Sequence, residues 1–200
     1  SVVFEPEQRR IWVGSGDSPA SCSWFIPFRL SLPGQSGRGG PDPEAEPFHP
    51  SPGWDRTGHG QAFKRYRKAC HLQTQDESDK RLLILIEHAL ALYPEDPSLH
   101  ILAGLLALRS GRARRAEGAF RSALEQLNDL PRRTEVTLYL AWALDVQDQR
   151  SSSRQLYREI RRSTAADPAV SRHARDGRWL AFNEKKAAKI AIDFVHVSAV

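Results

Sequence analysis

The sequence predicts a mostly α-helical fold, an α-solenoid of about three helical hairpins with a capping helix, preceded by a β-hairpin and a disordered linker. Residues 96–124 carry two apolar stripes at helical spacing, separated by Gly111, a residue suited to the end of a helix. A similar pattern recurs 34 residues earlier and 37 residues later. One such hairpin cannot bury both of its faces alone, so neighbours of the same kind are expected.

The first predicted helical pair covers residues 61–93, and its second helix begins at a Ser78 cap and ends before Pro94. The third pair covers residues 131–166. A further helix from Ala169 to about Lys189 is expected to cap the array. Its predicted apolar residues are Trp179, Leu180, Phe182 and Ala187. The helical domain therefore spans residues 61–190, and residues 191–200 form a tail whose start alternates like a strand.

The middle hairpin resembles a tetratricopeptide repeat, because Gly104, Gly111, Ala116, Phe120 and Ala123 match the small and aromatic positions of that pattern. The resemblance covers residues 61–168 approximately. Leu82 in the first unit, and Ser153 and Ile160 in the third, depart from the small-residue pattern. The resemblance implies helix pairs whose first helices line a concave surface that binds peptides or proteins.

Residues 1–30 are not repeat-like, since two extended runs around Pro6 indicate a β-hairpin and a third follows at 24–30. The hairpin needs a partner sheet for its aromatic residues. The stretch resembles the C-terminal end of penicillin acyltransferase-like N-terminal-nucleophile hydrolases of the peptidase C45 type. The matching residues are Ser1, Val2, Val3, Phe4, Pro6, Arg10, Trp12, Val13, Gly16, Pro19, Pro27 and Leu30.

That second resemblance implies the closing strands of an upstream hydrolase-like domain, in which a cysteine nucleophile attacks an amide or thioester acyl carbon. No residue of this chain matches that cysteine, so no catalytic residue is assigned here. The chain contains no methionine, which leads us to expect a processed chain or a fragment. The expected parent is an acyltransferase or amide hydrolase whose catalytic part lies outside this sequence.

Residues 31–60 are expected to be a linker, because thirteen of the thirty are glycine or proline. Cys22 and Cys70 lack the spacing of a metal site or a disulfide framework, and two reduced thiols in a cytoplasmic protein are the default expectation. No cofactor and no metal are expected. No apolar run approaches the length of a membrane span.

Repeat geometry predicts a peptide-binding groove on the first helices of the pairs. Its predicted lining is Lys64, Arg67, His71, Ile101, Leu105, Leu108, Arg109, Leu138, Trp142 and Asp145. The cationic residues could hold a carboxylate, and the apolar residues could take an anchor side chain. An equal alternative is that the linker, the cap helix or an upstream domain fills the groove.

Three functions follow from these patterns: a protein-interaction module, the extension of a C45-type enzyme, or a binder of nucleic acid or an anionic surface. The last depends on residues 150–189, which hold eleven Lys and Arg against four Asp and Glu. A solvated helical face is the simpler interpretation of that charge, so nucleic acid is not an expected partner. The favoured partner is a protein or peptide, which could be an upstream catalytic domain of the same polypeptide.

Overall fold

The computed structural model describes residues 2–14, 25–30, 40–42, 44–47, 53–194 and 196–199. The chain divides into two compact units, Ser1–Arg56 and Thr57–Val200. The mostly helical class is confirmed, together with a small antiparallel sheet. The finer prediction of a solenoid stays a prediction. Cys22, Trp24, Phe48 and His49 lie outside the described residues.

The first unit contains an antiparallel sheet of strand order β1-β2-β3-β4. Its strands are β1 (Val2–Glu5), β2 (Arg10–Gly14), β3 (Phe25–Arg29) and β4 (Gly40–Pro41). A short 3-10 turn at Pro6–Gln8 and a left-handed Arg9 connect the first two strands. Strand β4 falls within the predicted linker and pairs with β3, so part of the predicted linker has strand structure.

A buried carboxylate joins these strands. Asp42 accepts a hydrogen bond from Arg10 Nε at 2.7 Å, and Arg29 Nη2 lies 3.2 Å from its other oxygen. The backbone N–H of Glu44 also donates to Asp42. The Arg10 hydrogen bond lowers the pKa of Asp42 below its ordinary value, since it favours the charged form. Asp42 therefore stays ionised and bridges β2, β3 and the chain that follows β4.

The second unit consists of helices in which each packs against the next along the chain, from α1 to α7. Their bounds are α1 (Gly58–Gln73), α2 (Asp79–Leu92), α3 (Pro97–Arg109), α4 (Ala113–Gln126), α5 (Leu130–Val146), α6 (Arg150–Arg162), α7 (Pro168–Gly177) and α8 (Glu184–Ala187). Helix α1 begins inside the predicted linker, because the Thr57 side chain accepts from Gly60 N and caps it.

Helices α3, α5 and α7 begin with the same capping arrangement. Asp96, Asp129 and Asp167 each cap the following helix through a side-chain oxygen, and a proline lies in each first turn. Aspartate accepts the otherwise unpaired N–H groups, and proline needs no acceptor at that position. The caps set the starting points of α3 and α5, which belong to the site described below, and of α7, which packs against α6 and α5.

The turns between paired helices also resemble one another. Asp76, Gly111 and Asp148 each have positive φ, at 55°, 74° and 60°, in the turns α1–α2, α3–α4 and α5–α6. The left-handed conformation lets the chain reverse after a helix, and glycine or aspartate tolerates it best. Asp148 lies 37 residues after Gly111, which is the step at which the helical pattern of the middle hairpin recurs in the sequence.

Two glycines allow close packing between helices. A Cβ placed on Gly104 of α3 would lie 2.4 Å from Phe120 Cε1 of α4, and one on Gly177 of α7 would lie 2.5 Å from Tyr157 Cζ of α6. Both rings are fully buried. Because the glycines carry no side chain, each ring packs directly against a helix backbone.

The predicted cap helix over Ala169 to about Lys189 is wrong in its length. Helix α7 ends at Gly177, six residues without helical structure follow, and Asn183 caps the short helix α8. Glycine is a poor helix former and lies against Tyr157 here, which favours the break. As a result Trp179 and Leu180 are exposed, at 76% and 68%, instead of facing the core.

The alternation from Ile190 to Val197 indicated a strand, but the described residues of that stretch contain none, and Asp193 forms only an isolated bridge with Ser198. The alternation of apolar and polar residues nevertheless corresponds to alternating burial. Ile190, Ile192 and Phe194 are buried, while Ala191 and Asp193 are exposed. An extended chain buries every second side chain, and here it does so against helices rather than a sheet.

Among the described residues, no helix is both long and apolar enough to cross a membrane.

Candidate functional site

The predicted groove residues lie on α1, α3 and α5, but six of the ten are buried. Lys64 and His71 are exposed, and Arg67 and Arg109 are half-buried. The buried members are Ile101, Leu105, Leu108, Leu138, Trp142 and Asp145. The expectation that they form an open patch is therefore wrong. We refer to the side of these three helices on which they lie as the α1–α3–α5 surface.

The α1–α3–α5 surface is covered by the C-terminal segment, which we define as residues 182–194 and 196–199. Phe182 stacks on the Trp142 ring, with 4.5 Å between centroids and 9° between planes. Ile190, Ile192, Phe194 and Val197 are buried within the same apolar cluster as the helix residues, and the last three belong to the predicted tail. Of the occupants that the sequence analysis offered for the groove, the predicted cap helix contributes Phe182, while Ile192, Phe194 and Val197 come from the predicted tail.

Side chains from each of the three helices donate hydrogen bonds to the backbone of the C-terminal segment. Tyr66 Oη donates to Phe194 O at 2.6 Å, and Arg109 Nη1 donates to Ile190 O at 3.0 Å. Arg132 Nη2 donates to Val197 O at 2.6 Å and to His196 O at 3.2 Å. An irregular segment without a partner strand has its carbonyls satisfied in this way.

Arg109 has a different partner from the ligand carboxylate that the sequence suggested. Its Nε donates to Asp79 Oδ2 at 2.7 Å, and its Nη2 also pairs with that carboxylate. The bidentate contact fixes the plane of the guanidinium and aims the remaining nitrogen at Ile190 O. In the described geometry, Arg109 therefore donates to a backbone carbonyl and does not have a free guanidinium for a ligand carboxylate.

A polar cluster holds the last described residues. Glu135 accepts from Ser198 Oγ at 2.8 Å, from Tyr139 Oη and from Arg132. Tyr139 Oη in turn accepts the backbone N–H of Ala199 at 2.8 Å. Burial raises the pKa of Tyr139 above its ordinary value, as does the neighbouring Glu135 charge. The phenol is therefore protonated and can donate and accept together.

Asp145 is the most connected polar residue of the site, and its side chain has no solvent exposure. Arg150 Nη1 lies 2.8 Å and 3.0 Å from its two oxygens. Tyr157 Oη donates to it at 2.8 Å, Ser153 Oγ donates as well, and the backbone N–H of Phe182 donates at 2.9 Å. A buried carboxylate with this many donors links α5, α6 and the C-terminal segment.

The same network reaches α7, because Arg150 Nη2 donates to Gly177 O at 2.6 Å. Burial raises the pKa of Tyr157 well above its ordinary value, so its hydroxyl stays protonated and donates to Asp145. His173 packs edge-on against Trp142, and burial lowers its pKa. The pKa shifts of Tyr157 and His173 both follow mainly from burial.

The C-terminal segment leaves part of the surface accessible. A cleft of about 220 Å³ lies beside α1 and the start of α3. It is lined by His59, Ala62, Phe63, Tyr66, Asp96, Ser98, Leu99 and Val197. Its lining is mostly apolar and includes Tyr66, which donates to Phe194 O of the segment. The cleft extends the covered surface rather than forming a separate site.

Cys70 is a half-buried free thiol on α1. Burial raises its pKa, since the thiolate is disfavoured in apolar surroundings. A nucleophilic cysteine needs the opposite shift, so Cys70 does not have the character of one. Within the described ranges, no group of three or more His, Cys, Asp or Glu residues is placed to hold a metal ion.

Sequence reasoning missed several residues that hold the segment, namely Tyr66, Arg132, Glu135 and Tyr139 as donors and acceptors, and Phe182 as a stacking partner. The alternating residues at 190–194 were the usable signal, because an extended apolar segment needs a face to cover. No local pattern identifies Tyr66 or Arg132 as its partners.

Comparison with known proteins adds no assignment: no protein-family model matches the chain, and neither a curated protein nor a solved structure is significantly similar to it.

Proposed function

We propose that the helical unit is a protein-interaction module of tetratricopeptide-like architecture, and that its α1–α3–α5 surface binds an extended peptide. The observation that carries this proposal is the C-terminal segment itself. A stretch of chain that is neither helix nor strand lies on that surface, with Ile190, Ile192 and Phe194 buried and carbonyls bonded to Tyr66, Arg109 and Arg132. It is open at residues 190–192 and closes into a turn between Asp193 and Ser198. This is a peptide-recognition geometry, in which backbone bonds contribute affinity and side-chain pockets contribute specificity.

Recurring features of the helical pairs support the repeat architecture within this proposal. The left-handed turn residues Asp76, Gly111 and Asp148 lie 35 and 37 residues apart. Aspartate caps and first-turn prolines begin α3, α5 and α7. These periods are those of a stacked two-helix repeat, in which the first helix of each pair lines one surface.

The occupant in this chain is its own C-terminal segment, and a partner peptide of similar chemistry is the proposed external ligand. Such a peptide has apolar residues at every second position, as Ile190, Ile192 and Phe194 do. It also has free backbone carbonyls rather than a helical conformation. Burial of these side chains provides the favourable free energy of binding. The conformational entropy that the peptide loses when it becomes ordered reduces this free energy.

A cleavage and exchange experiment tests the proposal on the folded chain. The recognition sequence of a site-specific protease is inserted between Ala188 and Lys189, which are both exposed. After cleavage, residues 189–200 are expected to stay bound and to exchange with a fluorescein-labelled copy, with a dissociation constant on the order of micromolar. Fluorescence anisotropy measures the binding, and circular dichroism checks the fold.

Matched variants make the exchange experiment specific. Tyr66→Phe removes the hydroxyl that donates to Phe194 O, and should weaken labelled-peptide binding by about 2- to 10-fold. Tyr93→Phe removes a hydroxyl from a ring that stacks on His59 and keeps the ring itself, so it should leave binding unchanged. A labelled peptide with serine at positions 190, 192 and 194 should not compete. Equal binding of the serine peptide would contradict the proposal.

A second candidate concerns the first unit, which we propose to be the closing strands of a C45-type acyltransferase or amide hydrolase. Val2, Val3 and Phe4 on the edge strand β1 are exposed, as expected of a sheet that another protein surface completes. The helical unit would then serve that enzyme as an interaction module. A reading frame that continues upstream and encodes a cysteine released by self-cleavage would support this candidate, and a frame without one would oppose it.

A further inference from the structure

The break after α7 creates a second cleft, separate from the α1–α3–α5 surface. Its volume is about 320 Å³, and its lining consists of Arg154 and Arg158 from α6, with Arg178 and Trp179 from the chain after α7. The guanidinium carbon of Arg178 lies 5.9 Å from the centroid of the Trp179 ring. The Trp179 ring thus lies beside its sequence neighbour Arg178 and near Arg154 and Arg158, which lie more than 20 residues earlier in the sequence.

The charges in this cleft are not neutralised by the described part of the chain. Arg154, Arg158 and Arg178 form no ion pair with a described residue, and no carboxylate is among the lining residues. By contrast, Arg150 on the same helix pairs with Asp145, and Arg175 with Asp176. Three unpaired guanidiniums in one concavity create a positive potential that attracts an anion.

The positive charge continues along α6 beyond the cleft. Arg161 and Arg162 lie at the end of the helix, are exposed and also have no ion pair with a described residue. The distance from Arg154 to Arg162 along the helix is about 12 Å at 1.5 Å per residue. A linear polyanion matches this track better than one small carboxylate does.

We propose that this cleft binds single-stranded nucleic acid, with a base stacked on Trp179 and phosphates paired to Arg154, Arg158 and Arg178. Single strands are bound without sequence preference by a basic track combined with an exposed aromatic ring. Arginine binds phosphate oxygens in a bidentate manner. An acidic peptide would use the charges but has no flat group that requires the ring, which is 76% exposed.

This inference does not depend on the proposed peptide-binding function. It also revises the interpretation of residues 150–189 as a solvated face. The sequence shows no aromatic-rich nucleic-acid motif among the α6 arginines, and Tyr157, which lies between Arg154 and Arg158, is fully buried. The structure places Trp179 beside them, because α7 stops at Gly177 and the chain turns back toward α6.

Anisotropy titrations of the full chain with a fluorescein-labelled oligo-dT and oligo-rU test the inference at 50 mM and 200 mM KCl. Trp179→Ala should weaken binding by about 5- to 100-fold, from the loss of one stacked base, and Trp179→Phe should restore most of it. The double variant R154Q/R158Q should lower the slope of log affinity against log salt by about 1.4, for two lost phosphate contacts. All substituted side chains are exposed, and circular dichroism verifies the fold.

The matched control is the double variant K68Q/R114Q, which removes the same net charge from exposed positions on α1 and α4. It should retain the affinity of the parent chain. Equal losses in the control and in R154Q/R158Q would overturn the inference, because binding would then follow net charge alone. Absence of oligonucleotide binding would also overturn it, and so would Trp179-dependent binding of a polyglutamate peptide in place of the oligonucleotide.

Discussion

Replacement of Asp145 by alanine is expected to destabilise the helical unit by about 3–5 kcal/mol, the loss seen when one partner of a buried ion pair is removed. The carboxylate has no solvent exposure and accepts from Arg150, Ser153, Tyr157 and the backbone of Phe182. Alanine leaves all four donors without their acceptor. Chemical denaturation followed by far-UV circular dichroism measures the change.

Two companion variants make this prediction specific. Asp145→Asn keeps the shape of the side chain and loses its charge, so its loss should be large but smaller than that of alanine. Asp176→Ala removes an exposed carboxylate that lies 3.5 Å from Arg175 and should change stability by less than about 0.5 kcal/mol. A loss below about 1 kcal/mol for Asp145→Ala would contradict the assigned role of the network.

The contact between Gly104 and Phe120 gives the second large effect. Phe120→Ala should cost about 3–5 kcal/mol, because the ring is fully buried. In the parent chain Gly104→Ala should be destabilising by about 1–2 kcal/mol, since its Cβ would lie 2.4 Å from the ring. In the Phe120→Ala background the same change should stabilise by up to about 1 kcal/mol, through helix propensity.

The change of sign between backgrounds is the decisive feature of this double-mutant cycle. Gly118→Ala on α4 serves as the control, because a Cβ there meets nothing within 4 Å. It should stabilise both backgrounds by a similar amount. If Gly104→Ala has the same effect with and without the Phe120 ring, then the ring does not pack against this glycine as described.

Helical periodicity predicted the class and the approximate positions of the first six helices, because apolar stripes at that period require a helix to bury them. The starts of α3, α5 and α7 were accessible from Asp and Pro residues before each stripe. The end of α7 was not accessible from the sequence. Whether Gly177 interrupts a helix depends on the ring of Tyr157, which lies 20 residues earlier in sequence.

The sequence indicated which helices line the candidate site, but it did not indicate that most of the predicted lining residues are buried. Repeat geometry identified α1, α3 and α5, and Trp142 and Asp145 do lie at the centre of the contacts between them and the C-terminal segment. Their burial depends on a segment that lies 37 or more residues later, whose carbonyls are bonded by single side chains such as Tyr66. Such long-range pairings leave no local pattern in one sequence.

Native-state hydrogen exchange of the full chain tests most directly whether the C-terminal segment is a bound peptide or a part of the core. Amides of Asp193, Ser198 and Ala199 have hydrogen-bond partners, as do those within α3. The account predicts that the segment amides exchange together through an opening at least about 2 kcal/mol lower in free energy than that of α3 and α5. Exchange of the segment and α3 through one shared global opening would contradict it.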